Sequence, residues 1–291
     1  MAQLFFPFQP FLPFQPSLPV TRVLSGAVLI AIAVAVVWFS PPILFFAVAE
    51  ILLLLAFIEY SRLAAAAGVP LPTVAAGAVT LLASVGVSST EWVGDSVAGT
   101  AIALDAILMS GFVLLAALTL TSWRGDRDAL SRASAAVFPA LYLGMPIGAM
   151  VALRALRGRE ALFLLLLTVM VSDTAQYYSG RAFGRRLLAP AISPKKTIEG
   201  AIGGLIFGTA AMVLGGRWVF PEAPIGLLLA VSAAITALGM VGDLFESMLK
   251  RSAGVKDSSH LIPGHGGILD RIDSWLFAAP LYYAFAQYLR L

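Results

Sequence analysis

Between Lys250 and Asp273 the chain reads KRSAGVKDSSHLIPGHGGILDRID. This one stretch holds Lys250, Arg251, Lys256 and Arg271, both histidines of the chain (His260 and His265), and Asp257, Asp270 and Asp273. Asp270 and Asp273 stand three residues apart after a glycine run, so on a helix they project together as hard oxygen ligands of the kind Mg²⁺ takes. Two acids in the first turns of a helix are also favourable against its dipole alone. That simpler reading leaves Arg271 and His265 unexplained. His265, set among glycines, suits a phosphate donor, a general acid or a loop-shaping hydrogen-bonding group. His260 reads as an ordinary loop histidine.

Three further segments carry chemistry. In GDLFESMLKR, Asp243, Glu246, Ser247 and Lys250 fall at helical spacing and share one face. A solvated helix end with a cationic anchor explains the same pattern. SPKKTIEG reads as a helix start, with Ser193 as N-cap and Pro194 at the first helical position. Lys195 and Lys196 would then sit where a helix N-terminus already attracts anions, or would simply be charges on the cytoplasmic side. Gly200, Gly204 and Gly208 continue that helix at a spacing that allows close packing on a neighbour. In VSDTAQYYSGRAFGRR, Asp173, Gln176, Tyr177 and Gly180 form a polar stripe. Arg181, Arg185 and Arg186 follow it, suited to phosphates or to anionic lipid headgroups.

These segments are mounted on an apolar chain. Of 291 residues 59% are hydrophobic and 12% charged, against roughly 45–50% and about 25% in a soluble domain. Crossing a hydrocarbon core takes about 20 helical residues. Continuously apolar runs of that size occur near 22–39, 42–60, 71–88, 97–121, 135–153, 161–180, 200–219, 225–243 and 267–289. The fold class expected is all-α, a polytopic membrane helical bundle of about nine transmembrane helices with cytoplasmic polar loops. Continuous rather than alternating hydrophobicity argues against a barrel.

With no cysteine, thiolate chemistry and disulfides are excluded. Residues 1–21 form a Phe/Pro-rich leader whose prolines bar a continuous helix, leaving 22–291 as one membrane domain. Alternating the spans puts Arg62, Arg124, Arg181, Lys195, Lys196, Lys250 and Lys256 on one side, which positive charge marks as cytoplasmic. Arg154, Arg157 and Arg159 break the rule. Glu50 and Asp105 are expected inside spans, where ionisable groups mark functional sites by default, and Glu59 is expected to pair with Arg62.

Acids from two helices with cations from three cytoplasmic loops describe a site for a polyphosphate and a divalent metal at the membrane surface. Charge neutralisation and positioning are most of what phosphoryl-type transfer demands. A lipid substrate would explain the location. The alternatives are a transporter or ion pathway through Glu50, Asp105 and Asp173, and a lipid-binding protein without turnover.

The run Ser247 to Asp273 resembles the signature of the CDP-diacylglycerol synthase (phosphatidate cytidylyltransferase) family, and SDTAQYYSGRAFGRR, ISPKKTIEG and GDLFES resemble further family elements. The likeness spans about residues 172–275. It implies transfer of CMP from CTP to phosphatidic acid with Mg²⁺ and an additional cation, in a bacterial cytoplasmic membrane with the active site facing the cytoplasm. Asp243 and Asp270 become the leading metal ligands, with Asp273 and Asp173 in support. Asp243, Asp270, Lys250 and His265 become catalytic candidates. Lys195, Lys196, Arg251, Lys256, Arg271 and Arg181 become phosphate contacts. The implied partners are CTP, phosphatidic acid and the lipid bilayer, with no nucleic acid; a homodimer is compatible with the family.

Overall fold

An apolar chain in lipid must satisfy its backbone polar groups internally, and helices do so segment by segment. The computed structural model, which describes residues 19–92, 103–125, 127–262, 264 and 266–289, with the side chains of 19–25 and 90–92 left aside, is helical accordingly. Its helices are α1 (Pro19–Phe39), α2 (Pro42–Ala66), α3 (Thr73–Trp92), α4 (Leu104–Ser122), α5 (Ala129–Pro139), α6 (Met145–Phe183), α7 (Ile198–Val219), α8 (Ile225–Ser252) and α9 (Leu269–Tyr288). A π-helical turn, Ala140–Gly144, joins α5 to α6, so the described helices form eight continuous stretches. Five of these are long and apolar enough to cross a membrane: α2, α4, Ala129–Phe183, α7 and α8. Of the leader expected at 1–21, residues 1–18 lie outside the described residues and Pro19–Thr21 begin α1.

The stretch Ala129–Phe183 has 55 residues and would be about 80 Å long if straight. It is not straight. Gly158 takes φ 84° and ψ 178°, a left-handed conformation that suits glycine. A straight helix would hold Tyr142 and Asp173 about 46 Å apart. Yet Tyr142 packs edge-on to Phe277 of α9, 6.2 Å between ring centroids, and both it and Asp173 lie within electrostatic reach of Asp273. The chain therefore doubles back at Gly158.

Arg154, Arg157 and Arg159, which broke the charge rule, hold this reversal. Arg154 donates to the carbonyls of Val37 (3.3 Å) and Ser40 (2.6 Å) at the end of α1. Arg159 donates to that of Trp38 (3.1 Å). Arg157 reaches the Ala286 carbonyl near the end of α9 and the Glu222 carboxylate, 2.8 Å away in the α7–α8 connection. Helix C-termini leave carbonyls without intrahelical donors, and these guanidinium groups supply them.

The second arm of α6 lies against α7 through small residues. A Cβ on Gly204 would come within 3.0 Å of the Ser172 carbonyl, so the glycines at 200, 204 and 208 pack closely as their spacing suggests. The core continues through Leu153, Leu162, Leu165, Phe220, Ile235 and Tyr282, all essentially inaccessible.

Two expectations are corrected. Ser193 is not an N-cap and Pro194 does not open a helix: Ser193–Thr197 is strand β2, paired antiparallel with β1 (Leu187–Ala189). Thr197 caps α7 instead, its hydroxyl accepting from the Gly200 amide at 3.1 Å. The Glu199 carboxylate takes the Arg185 and Arg186 amides at 2.9 and 3.2 Å, closing the hairpin from the helix side. Asp105 stands exposed in the first turn of α4 rather than deep in a span. The segment GDLFESMLKR is helical as its spacing predicts, α8 running on through it to Ser252. Glu50 remains half-buried within α2 beside Ser84 of α3.

The ends of α2, α6 and α8, the hairpin and the start of α9 thus meet at one end of the bundle, and the α1–α2 and α7–α8 connections and Gly158 meet at the other. Because the chain has no cysteine, single cysteines introduced at Ala191 and Leu261 should be labelled by an impermeant maleimide from one side of sealed vesicles. A cysteine at Pro221 should be labelled only from the other side. Labelling of Ala191 and Leu261 from opposite sides would break the arrangement.

Candidate active site

The site is built on the last turns of α8 and the first turns of α9. Lys250 Nζ lies 2.5 Å from Asp270 Oδ1 and also forms an ion pair with Glu246, one turn earlier on its own helix. Glu246 is wholly buried, Lys250 and Asp273 nearly so. Buried charges are costly unless paired, so this ammonium between two carboxylates fixes α8 against α9. Aromatic rings pack around them: Tyr142 on the π-helical turn stacks on Phe138 at 5.1 Å and meets Phe245 edge-on at 5.4 Å.

A second pair sits closer to water. Lys196, on β2, bonds the Asp243 carboxylate of α8, each side chain about a quarter exposed. On α6, Asp173 accepts from Gln176 Nε2 at 3.0 Å and is open to solvent, although charges from β2, α8 and α9 surround it. Asp173, Asp243 and Asp273 lie within electrostatic reach of one another. Arg271 is near Asp173. Arg251 donates to the carbonyls of Ile192 (3.3 Å) and Val255 (3.0 Å), tying the hairpin to the end of α8.

The other residues singled out in the sequence divide as follows. Lys195, Arg181, Lys256, Arg271 and His260 are exposed on this end of the molecule. His265 lies outside the described residues. Asp270 is already bonded on both oxygens: Oδ1 to Lys250, and Oδ2 to the Ser258 amide (2.9 Å), the Ser258 hydroxyl (2.7 Å) and the Gly267 amide (2.8 Å).

Spacing did not reveal Glu59. Its carboxylate bonds the loop before α9 rather than the expected Arg62, accepting from Ser258 Oγ (3.0 Å), Ser259 Oγ (2.6 Å) and the Ile268 and Leu269 amides (3.0 and 2.8 Å). A carboxylate in the mostly apolar run of α2 was the available signal; its partners lie some 200 positions further on. A Cβ on Gly267 would strike both Glu59 oxygens, which accounts for one glycine of the run.

Among the described residues, no three His, Asp or Glu side chains converge closely enough to ligate a metal as they stand. The donor types fit a hard cation nonetheless. Asp173, Asp243 and Asp273 offer carboxylate oxygens of the class Mg²⁺ prefers, and their mutual repulsion is only partly met by Lys196. An open cleft of about 500 Å³ lined by Trp38, Ser40, Arg154 and Arg159 lies at the opposite end, away from this cluster.

Fold and site together define an integral membrane protein that gathers carboxylates and ammonium groups at one end of its helical bundle. Residues 20–289 match the model of the cytidylyltransferase family, and the chain belongs to that family. It is 37% identical over 194 residues to a phosphatidate cytidylyltransferase of Staphylococcus haemolyticus, covering 67% of this chain and 71% of the relative. A phosphatidate cytidylyltransferase of Brucella suis is 39% identical over 206 residues, 67% and 72% of the two chains. The enzyme of that name from Haemophilus influenzae is 48% identical over 133 residues, 42% of this chain and 45% of its own.

The two lysines should behave differently on removal. Lys250→Met leaves Glu246 and Asp270 buried without a counter-charge and should destabilise by about 3–5 kcal/mol, read as a large fall in the melting temperature of detergent-solubilised protein. Lys196→Met, at a half-open pair, should cost about 1 kcal/mol or less. Equal melting temperatures for the two variants would contradict the buried clamp.

Proposed function

We propose that the protein transfers CMP from CTP to phosphatidic acid, giving CDP-diacylglycerol and pyrophosphate, at the cytoplasmic face of a bacterial membrane. The observation that carries this reading is the meeting of four separated segments, around Asp173, Lys196, Asp243 to Lys250 and Asp270 to Asp273, in one polar site on the chain of a cytidylyltransferase family member. In the topology proposed, the reversal at Gly158 divides Ala129–Phe183 into two passes and the chain crosses the bilayer nine times.

In the reaction, a phosphate oxygen of phosphatidic acid attacks the α-phosphorus of CTP. The bond from that phosphorus to the bridging oxygen breaks, and pyrophosphate leaves with the electron pair. The nucleophile is already ionised near neutral pH, so orientation and charge screening matter more than a general base. Lys196 and Lys195 on the hairpin, with Arg271 on α9, bind the triphosphate and screen it from the neighbouring acids. Lys250 sets the positions of Asp270 and, through α9, Asp273. Asp173, Asp243 and Asp273 would hold Mg²⁺; when bound, the metal supplies neutralisation of the phosphate oxygens. Histidine can form covalent intermediates, but no such step is needed, and transfer is direct in a ternary complex.

Asp243→Asn removes a charge from this cluster at a partly exposed position. It should lower kcat by about 100-fold or more with little change in melting temperature; near-normal turnover at saturating Mg²⁺ would remove Asp243 from the site. Labelled pyrophosphate should enter CTP only once lipid substrate or product is present, and robust exchange without lipid would indicate a covalent nucleotidyl-enzyme instead.

A further inference from the structure

We infer that Glu59 is a positioning residue of the transfer site, acting from α2 through the loop before α9 on Asp270 and Lys250. This rests on the proposed CMP transfer for its catalytic consequence, although its structural basis is independent of it.

The first amides of a helix lack intrahelical acceptors and are commonly met by a capping side chain just before the helix. None caps α9 from its own sequence: Ile268 stands at the N-cap, an apolar residue in helical conformation with no side-chain bond. Glu59 takes that role from another helix, accepting the Ile268 and Leu269 amides at 3.0 and 2.8 Å. A carboxylate there is also favourable against the positive end of the helix dipole. The same two oxygens bond the hydroxyls of Ser258 and Ser259, so one buried side chain holds both ends of the segment Ser258–Leu269.

From Glu59 a short relay leads to the charged site. The Ser258 hydroxyl stands 3.0 Å from Glu59 Oε2 and 2.7 Å from Asp270 Oδ2, and its single proton serves one of them at a time. The Ser258 amide also donates to Asp270 Oδ2, at 2.9 Å, whichever way that proton points. Asp270 Oδ1 in turn bonds Lys250. Removing Glu59 frees the α9 amides and the loop together, and the acids on α9 lose their fixed register with those on α6 and α8. Displacement of reacting groups by about 1 Å can cost about 100-fold in rate.

The test uses Glu59→Gln, which keeps the shape but sets an amide donor against a cage of donors, together with the shorter Glu59→Asp. Hydrogen exchange of purified full-length protein should quicken by about tenfold or more at Ile268 and Leu269 in Glu59→Gln, with α7 unchanged. CMP transfer should lose about 10- to 100-fold in kcat with KM for CTP within about threefold, and Glu59→Asp should recover part of it. Should Glu59→Gln fail to fold, Ser259→Ala removes one bond to the same carboxylate and should show the same pattern at smaller size. Unchanged exchange at Ile268 and Leu269 would overturn the anchoring, and faster exchange with unchanged kcat would overturn the catalytic role. Absence of CMP transfer in the unsubstituted protein would defeat the functional reading and the catalytic role with it, while the exchange data still decide whether Glu59 holds the loop.

Discussion

A single ammonium group, that of Lys250, holds the functional end of this protein together. It lies between Glu246 on its own helix and Asp270 on the next, in a region closed to solvent. Neither carboxylate tolerates burial alone. Because Asp270 opens α9, the register of α9 against α8 depends on this bond, and with it the approach of Asp273 to Asp243 and Asp173. The two ends of the loop before α9, at Ser258 and at Gly267 to Leu269, are held by Asp270 and Glu59.

The membrane divides the molecule into two ends with different tasks. At the end holding Gly158, guanidinium groups satisfy helix-terminal carbonyls of α1 and α9 and allow the chain to reverse within one residue of left-handed backbone. At the other, irregular backbone is anchored at its ends: the β hairpin to Glu199, the signature loop to Glu59 and Asp270. Between the ends, the small face of α7 lets it approach α6 closely, which carries Asp173 toward the hairpin bearing Lys196.

Much of this was legible in the sequence, because hydrophobic runs report helices directly and polar residues are costly within them. The face shared by Asp243, Glu246 and Lys250 follows from helical spacing, and the Glu246–Lys250 pair forms at the i,i+4 distance that spacing allows. What stayed hidden depends on contacts between distant segments. Ser193 and Pro194 have the composition of a helix start, yet pairing with Leu187–Ala189 draws them into a strand, and Thr197 caps the helix in their place. Glu59 has a cation three residues away, so local spacing points to Arg62; the unmet amides of α9 compete for it and win. The apolar run around Asp105 begins before the described helix does, so composition suggests a deeper position than the first turn of α4 that Asp105 occupies. Arg157 does depart from the charge rule, and what holds it there, a carbonyl at Ala286 of the last helix, is out of reach of local spacing.

The central claim concerns which phosphorus moves and where it goes. Purified protein in mixed micelles with phosphatidic acid and Mg²⁺ should be given CTP labelled at the α-phosphate in one reaction and at the γ-phosphate in another. CMP transfer to lipid carries the α label into the organic phase and leaves the γ label in the aqueous phase as pyrophosphate. Failure of the α label to reach lipid, or appearance of the γ label there, would contradict the assignment.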